Sequence, residues 1–337
     1  MREVPSDRPV FVLGCPRSGT TLVQLMLHAH PRIAIPPENR FVLPAYRRRL
    51  EFGDLEDRRN RLALARFIVR RRGHKFRDLG LKRRQTIRQI VQGPPTLGSA
   101  LGIVLRAYAA RFDRPRWGDK RPGYHNHIDV IMRLFPDAQI VHTVRDPRDC
   151  VASLKRMSWW RRSSYHAISA WAESINHTED ALSRYPGAVT RVQYERLVAD
   201  PESELRALCA ALDEDFDSAM AEPERVAPFA VPARKHWHSN TRISPTTARV
   251  GQWEADLEPW EIALCESVLG EPMRRFGYEL TGSARPAPKH LLRYAAVRAA
   301  RKAVHEKRRL RDRWAQRREP NPVAARLTTR QRAAVGF

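Results

Sequence analysis

The stretch Pro9-Val10-Phe11-Val12-Leu13-Gly14-Cys15-Pro16-Arg17-Ser18-Gly19-Thr20-Thr21 opens on an apolar run and breaks at a glycine. Such a run reads as a buried strand entering a turn. From Thr20 to His28 the pattern turns helical, with Leu22, Leu25 and Met26 on one face. Strand, glycine loop and helix, with the spacing Gly14-x4-Gly19-Thr20-Thr21, form the frame of a phosphate-binding P-loop. The backbone N–H groups of such a loop and the N-terminus of its helix cradle an anion. Thr20 stands where a P-loop carries lysine, so the usual contact to the β- and γ-phosphates is missing, and Arg17 supplies a cation one turn earlier. The next strand ends in Arg145 rather than in an aspartate that would hold Mg²⁺. The loop therefore points to a shorter anion and to no metal requirement.

Working outward, Gln139–Val144 reads as a second buried strand, turned by Arg145-Asp146-Pro147 into a helix near Arg148. Ile168, Trp171, Ile175, Ala181, Leu182 and Tyr185 give helical periodicity over 164–185, and Ala188–Val192 is a third strand. Helices are expected around 99–112, 201–212, 259–269 and 289–315. Strands alternating with helices predict an α/β fold: a three-layer α/β/α arrangement, P-loop NTPase-like, with a central parallel sheet. Ligands of such sheets bind beyond the carboxyl ends of the strands.

The net charge is +24, and it is not spread evenly. Residues 47–88 hold 16 Lys/Arg against 5 Asp/Glu, residues 285–337 hold 16 against 3, and the rest sums to zero. Two local excesses predict surfaces that meet something anionic. The boundaries expected are one domain over 1–284, carrying a basic helical insert at 44–95, and a basic C-terminal helical tail over 285–337. The four cysteines form no CxxC pair. No apolar run approaches the ~20 residues of a membrane helix, and residues 1–7 lack a secretory apolar segment. A cytoplasmic protein, peripheral on the inner membrane face through its tail, is the expectation.

Pro16-Arg17-Ser18-Gly19-Thr20-Thr21 resembles the 5′-phosphosulfate loop of sulfotransferases that use 3′-phosphoadenosine 5′-phosphosulfate (PAPS). Arg145 with Ser153 eight residues on is similar to that family's 3′-phosphate motif. A guanidinium gives directional bonds to phosphate, and a serine two helical turns on can reach the same group. Tyr194 resembles a tyrosine near adenine in related enzymes. Gly251-Gln252-Trp253 resembles the late loop that closes over the nucleotide, with Gln252 where the family often has a basic residue. Arg249 or Arg242 are the alternative cations there. The resemblance implies PAPS as donor, bound by Gly14, Pro16, Arg17, Ser18, Gly19, Thr20, Thr21, Arg145, Ser153 and Tyr194.

For the chemistry, the resemblance implies Arg17 and Lys120, the latter in a Gly-x-Lys-x-Pro segment, on the leaving phosphate. The histidine that cytosolic sulfotransferases carry two residues after that lysine is Pro122 here. The stretch Leu27–Arg40 is similar to tyrosylprotein sulfotransferases and places Glu38 on their catalytic glutamate, with His125 as second candidate base. His28 and His30 read as helix-end residues. Expected partners are a small-molecule, glycan or lipid-linked acceptor and an anionic membrane surface, with no specific nucleic acid. The rival readings are a P-loop nucleotide kinase and a basic polyanion- or membrane-binding protein with an idle nucleotide fold.

Overall fold

The computed structural model describes residues 6–230 and 245–326. Among them, β1 (Val10–Gly14), β2 (Ile33–Ala34), β3 (Arg116–Lys120), β4 (Gln139–Val144) and β5 (Val189–Gln193) form one parallel sheet in the order β2-β3-β1-β4-β5. Val10 pairs with Gly118 on one side and Gln139 on the other. The chain leaves β1 toward β2 and β3, then crosses to β4. The crevice where strand order reverses therefore lies between the ends of β1 and β4.

The helices are α1 (Thr20–Ala29), α2 (Val42–Arg47), α3 (Arg58–Arg70), α4 (Arg83–Gln92), α5 (Leu97–Ala109), α6 (Ile128–Leu134), α7 (Pro147–Lys155), α8 (Ser164–Arg184), α9 (Tyr194–Ala199), α10 (Pro201–Ala211), α11 (Ala227–Ala230), α12 (Trp253–Asp256), α13 (Pro259–Arg275) and α14 (Pro288–Gln316). Strand alternation sorts them into layers. Val10 and Val12 pack with Leu22, Val23 and Met26 of α1 and Leu205 and Leu208 of α10. Phe11 and Leu13 face the other way, against Leu101 and Leu105 of α5 and Ile131 of α6. The structure is the expected three-layer sandwich.

Two strands escaped the sequence reading. β2 is only two residues long. β3, Arg-Trp-Gly-Asp-Lys, is wholly buried yet mostly charged. It tolerates burial because each charge is bonded: Arg116 to Glu214 (3.0 Å), Asp119 to Asn39 (2.6 Å), Lys120 to Thr21 (3.2 Å).

The basic insert packs as part of the domain. Leu64, Ile68 and Val69 of α3 and Ile90 and Val91 of α4 join the core beneath α5. Beyond Pro288 the chain forms a helix of 29 residues, about 43 Å long. It lies along α8, with Tyr294 and Val297 in an apolar cluster and Arg301 on Glu173 (2.6 Å). Asp312 accepts from Arg49 (2.7 Å), and Glu319 meets Arg49 and Arg133. The following strap bonds Val323 O to Gly98 N (2.8 Å) and Ala325 N to Leu134 O (2.8 Å). Residues 288–326 thus brace the insert against the sheet layer.

Gly98 permits that strap. A Cβ there would sit 2.4 Å from Ala325 N and 2.5 Å from Leu134 O, both backbone atoms. Gly98→Ala should lower stability by about 1–3 kcal/mol and open the chain near Pro320 to protease. Thermal unfolding and limited proteolysis check this; an unchanged melting temperature with no new cleavage would contradict the brace.

Candidate active site

The loop between β1 and α1 is built by unusual backbone. Arg17 and Gly19 adopt φ of 75° and 92°. Ser18 holds the turn: its N–H and hydroxyl bond Cys15 O (3.1 and 2.7 Å), and its hydroxyl also meets Thr143 (2.7 Å). Its side chain is engaged inside the loop, while the first turn of α1 has no side-chain cap and no acidic residue. The N–H groups and dipole there favour an anion.

Across the crevice, Asp146 caps α7 through Arg148 N (2.8 Å), and Pro147 occupies its first turn. Cap and proline fix where α7 begins, which brings Ser153 to 2.9 Å from Arg17 Nε. Arg145 Nη1 donates to Arg17 O (3.4 Å), and its guanidinium lies 4.5 Å over the Tyr194 ring. Arg145 Nε is buried and has no hydrogen-bond partner among the described residues. Burial, then the field of Arg145, pulls the Arg17 pKa down to about 10. Burial also opposes the Arg145 charge, but Asp149, Cys150 and Tyr194 outweigh it and its pKa rises. Tyr194 packs so closely on the loop that a Cβ at Gly19 would lie 2.6 Å from its ring.

Lys120 ends β3 and points at the start of α1, donating to Thr21 Oγ1 (3.2 Å). Glu38 sits in the loop after β2, with Arg40 Nε at 3.7 Å. Gln24 of α1 holds this loop through Pro36 O (2.8 Å), and Asn39 donates to Asp119 Oδ1 (2.6 Å). Asp119 also accepts from Lys120 N (2.9 Å) and the Tyr124 hydroxyl (2.5 Å). Asp119 therefore ties the loop of Glu38 to the strand of Lys120. The sequence reading missed it, although it adjoins Lys120. It also missed Asp149, which accepts from Gly251 N and Trp253 N (both 3.1 Å) and so holds the late loop beside Arg145. Gln252 Oε1 accepts from Arg156 (3.2 Å) and Arg249 (3.1 Å), so cations gather at that loop without one at position 252. Arg242 lies outside the described residues.

His28 and His30 hold the turn after α1. His28 Nδ1 accepts from Ile35 N and His30 Nδ1 from Arg32 N (both 3.1 Å). His125 is buried and stacks on His177 at 6.1 Å, and burial drives its pKa well down. In the turn after β3, Arg47 Nη2 meets His127 Nε2 at 3.2 Å. Burial, then Arg47, Arg308 and Arg121, pushes the His127 pKa down to about 3. Arg47 of the insert, Arg121 just after β3 and Arg308 of the tail thus gather around His127.

A P-loop frame without its lysine thus faces a second guanidinium site across the switch point. Residues 9–218 match the profile of the Sulfotransferase family, and the chain belongs to that family. Membership of that family sets aside the kinase reading. The protein-tyrosine sulfotransferase of Drosophila melanogaster is 27% identical over 289 residues, spanning 80% of this chain and 52% of that protein. This chain spans about half the length of that and other curated relatives. Among solved structures, the sulfotransferase domain from the Synechococcus PCC 7002 olefin synthase matches 82% of this chain and 97% of its own, at 25% identity and a TM-score of 0.54. The sulfotransferase domain from the curacin biosynthetic pathway shares the fold at 21% identity, a TM-score of 0.56, and coverage of 82% and 100%.

Burial pushes the Asp119 carboxyl up to about 6, against its bonds from Tyr124 and Lys120. The folded state then holds this proton more tightly than the unfolded chain, where an aspartate titrates near about 4. The group's contribution is full below about pH 4 and is lost as pH rises through about 6. Asp119→Asn should remove that slope. Melting temperatures of both proteins, taken between about pH 4 and about pH 7, check this; a difference that does not change with pH would contradict it.

Proposed function

We propose that the chain transfers the sulfuryl group of PAPS to a hydroxyl or amine of its acceptor. The observation that carries this reading is the bonded pair of anion sites, Arg17 Nε to Ser153 Oγ at 2.9 Å and Arg145 to Arg17 O at 3.4 Å. The uncapped start of α1, with Gly14, Pro16, Gly19, Thr20 and Thr21, would take the 5′-phosphosulfate. Arg145, whose buried Nε has no partner among the described residues, and Ser153 would take the 3′-phosphate, and Tyr194 would lie toward adenine. Ser18 serves by holding the loop.

In the transfer step the acceptor oxygen attacks sulfur, and the bond from sulfur to the bridging phosphate oxygen breaks. Its electron pair leaves with the 3′,5′-bisphosphate, where Arg17 and Lys120 meet the new charge. The acceptor proton passes to Glu38. The cationic rim of Arg47, Arg121 and Arg308 suits a small-molecule, glycan or lipid-linked acceptor that already carries phosphate, sulfate or carboxylate. The name of the Drosophila relative makes protein tyrosine a further acceptor to screen.

Transfer from labelled PAPS to a panel of such acceptors tests the reading. Glu38→Gln should keep its affinity for 3′-phosphoadenosine 5′-phosphate (PAP) and lose transfer by about 100-fold or more. Near-normal turnover in that variant would contradict the role of Glu38.

A further inference from the structure

The helix α14 uses only one of its faces to dock. Tyr294, Val297, Arg301, His305 and Asp312 turn inward, with His305 stacked on His177 at 4.6 Å. The opposite face is largely apolar, with one acid, and is bare. Leu292, Leu310 and Trp314 are 71%, 55% and 54% exposed. Exposed Ala295, Ala296, Ala299 and Ala303 fill the turns between them at helical spacing. An exposed stripe of this length on a helix of a water-facing domain needs an occupant.

The flanks name its chemistry. Lys289, Lys307 and Arg311 lie exposed along one side of the stripe, Lys302 and Arg313 along the other. Glu306 interrupts the stripe, one turn from both Ala303 and Leu310, and is met by Arg309 and Arg313 at 3.8 and 3.7 Å. The whole helix carries 10 Lys/Arg against 2 Asp/Glu. A second copy of this face would set cations against cations, and a nucleic acid would leave the apolar stripe wet. An anionic bilayer satisfies both parts: leucine and tryptophan enter the headgroup boundary while long cations reach the phosphates.

An independent segment repeats the pattern. The loop after α7 reads Ser158-Trp159-Trp160-Arg161-Arg162, with Trp159 45% exposed and both arginines exposed. It adjoins the first turn of α14. Trp160 packs in the cluster that holds Tyr294, and Tyr165 bonds His290 at 2.8 Å. Paired tryptophans beside arginines suit the membrane–water interface.

We infer that the outward face of α14, with the Trp159 loop at its start, is a membrane-surface site for anionic lipid. It lies on the bilayer, because no helix among the described residues is long and apolar enough to cross one. The inference does not depend on the donor or acceptor assigned above, and its readouts are separate from turnover.

Flotation of the full chain with phosphatidylcholine vesicles, with and without phosphatidylglycerol, tests it. Binding should require phosphatidylglycerol, weaken as salt rises from about 50 to about 500 mM, and shift tryptophan emission to the blue. The variant Leu292→Asp/Leu310→Asp/Trp314→Asp should bind at least about tenfold more weakly, with an unchanged melting temperature and PAP affinity. Trp159→Asp alone should weaken binding without touching the helix. Equal binding by these variants, equal binding to pure phosphatidylcholine, or no binding by the wild-type chain would each overturn the inference. So would dimerisation that the triple variant abolishes while vesicles stay unbound.

Discussion

The site depends on keeping two guanidinium groups, the half-buried Arg17 and the buried Arg145, next to each other. Their mutual field and their burial both oppose this, and Arg17 feels it as a lowered pKa. The surrounding structure supplies what makes it tolerable. Asp149 faces Arg145 at 3.1 Å, the Tyr194 ring lies under it, and Ser153 accepts from Arg17. None of these neutralises the pair fully, and Arg145 Nε stays without a partner among the described residues. The nucleotide proposed above, with two separated anions, would relieve the remaining cost, so that binding and folding would pull on the same groups.

The buried acids set the geometry around that pair. Asp149 joins α7 to the late loop, and Asp119 joins the Glu38 loop to the Lys120 strand. Each accepts backbone or amide N–H groups in low dielectric, where such bonds are strong and an orphan is expensive. The tail acts at longer range. By meeting Arg49 of the insert and Arg133 of α6, it fixes the wall that carries Arg47 and Arg308.

Sequence made some of this legible for physical reasons. The β1 loop announces itself because an apolar run, two glycines and a helix pattern agree. Asp146-Pro147 announces a helix start because cap and proline act locally. β3 was hidden, since its charges are satisfied by partners far along the chain. Asp119 and Asp149 were hidden for the same reason: the bonds by which they tie loops together, to Asn39 and to Gly251 and Trp253, span 80 and 102–104 residues. Periodicity identified α14 but not its docked side, because Tyr294 and Leu292 look alike until a neighbour takes one of them. The charge excesses of insert and tail were visible as sums. Their meeting at His127 was visible only in three dimensions.

The central claim is a two-anion grip in which the 3′-phosphate is recognised as strongly as the 5′ group. Calorimetry of the full chain with PAP, adenosine 5′-monophosphate and ATP tests it most directly. PAP should bind at least about 100-fold more tightly than either, the gain expected of charged hydrogen bonds from Arg145 and Ser153. Equal affinity for adenosine 5′-monophosphate, or a preference for ATP, would contradict the account.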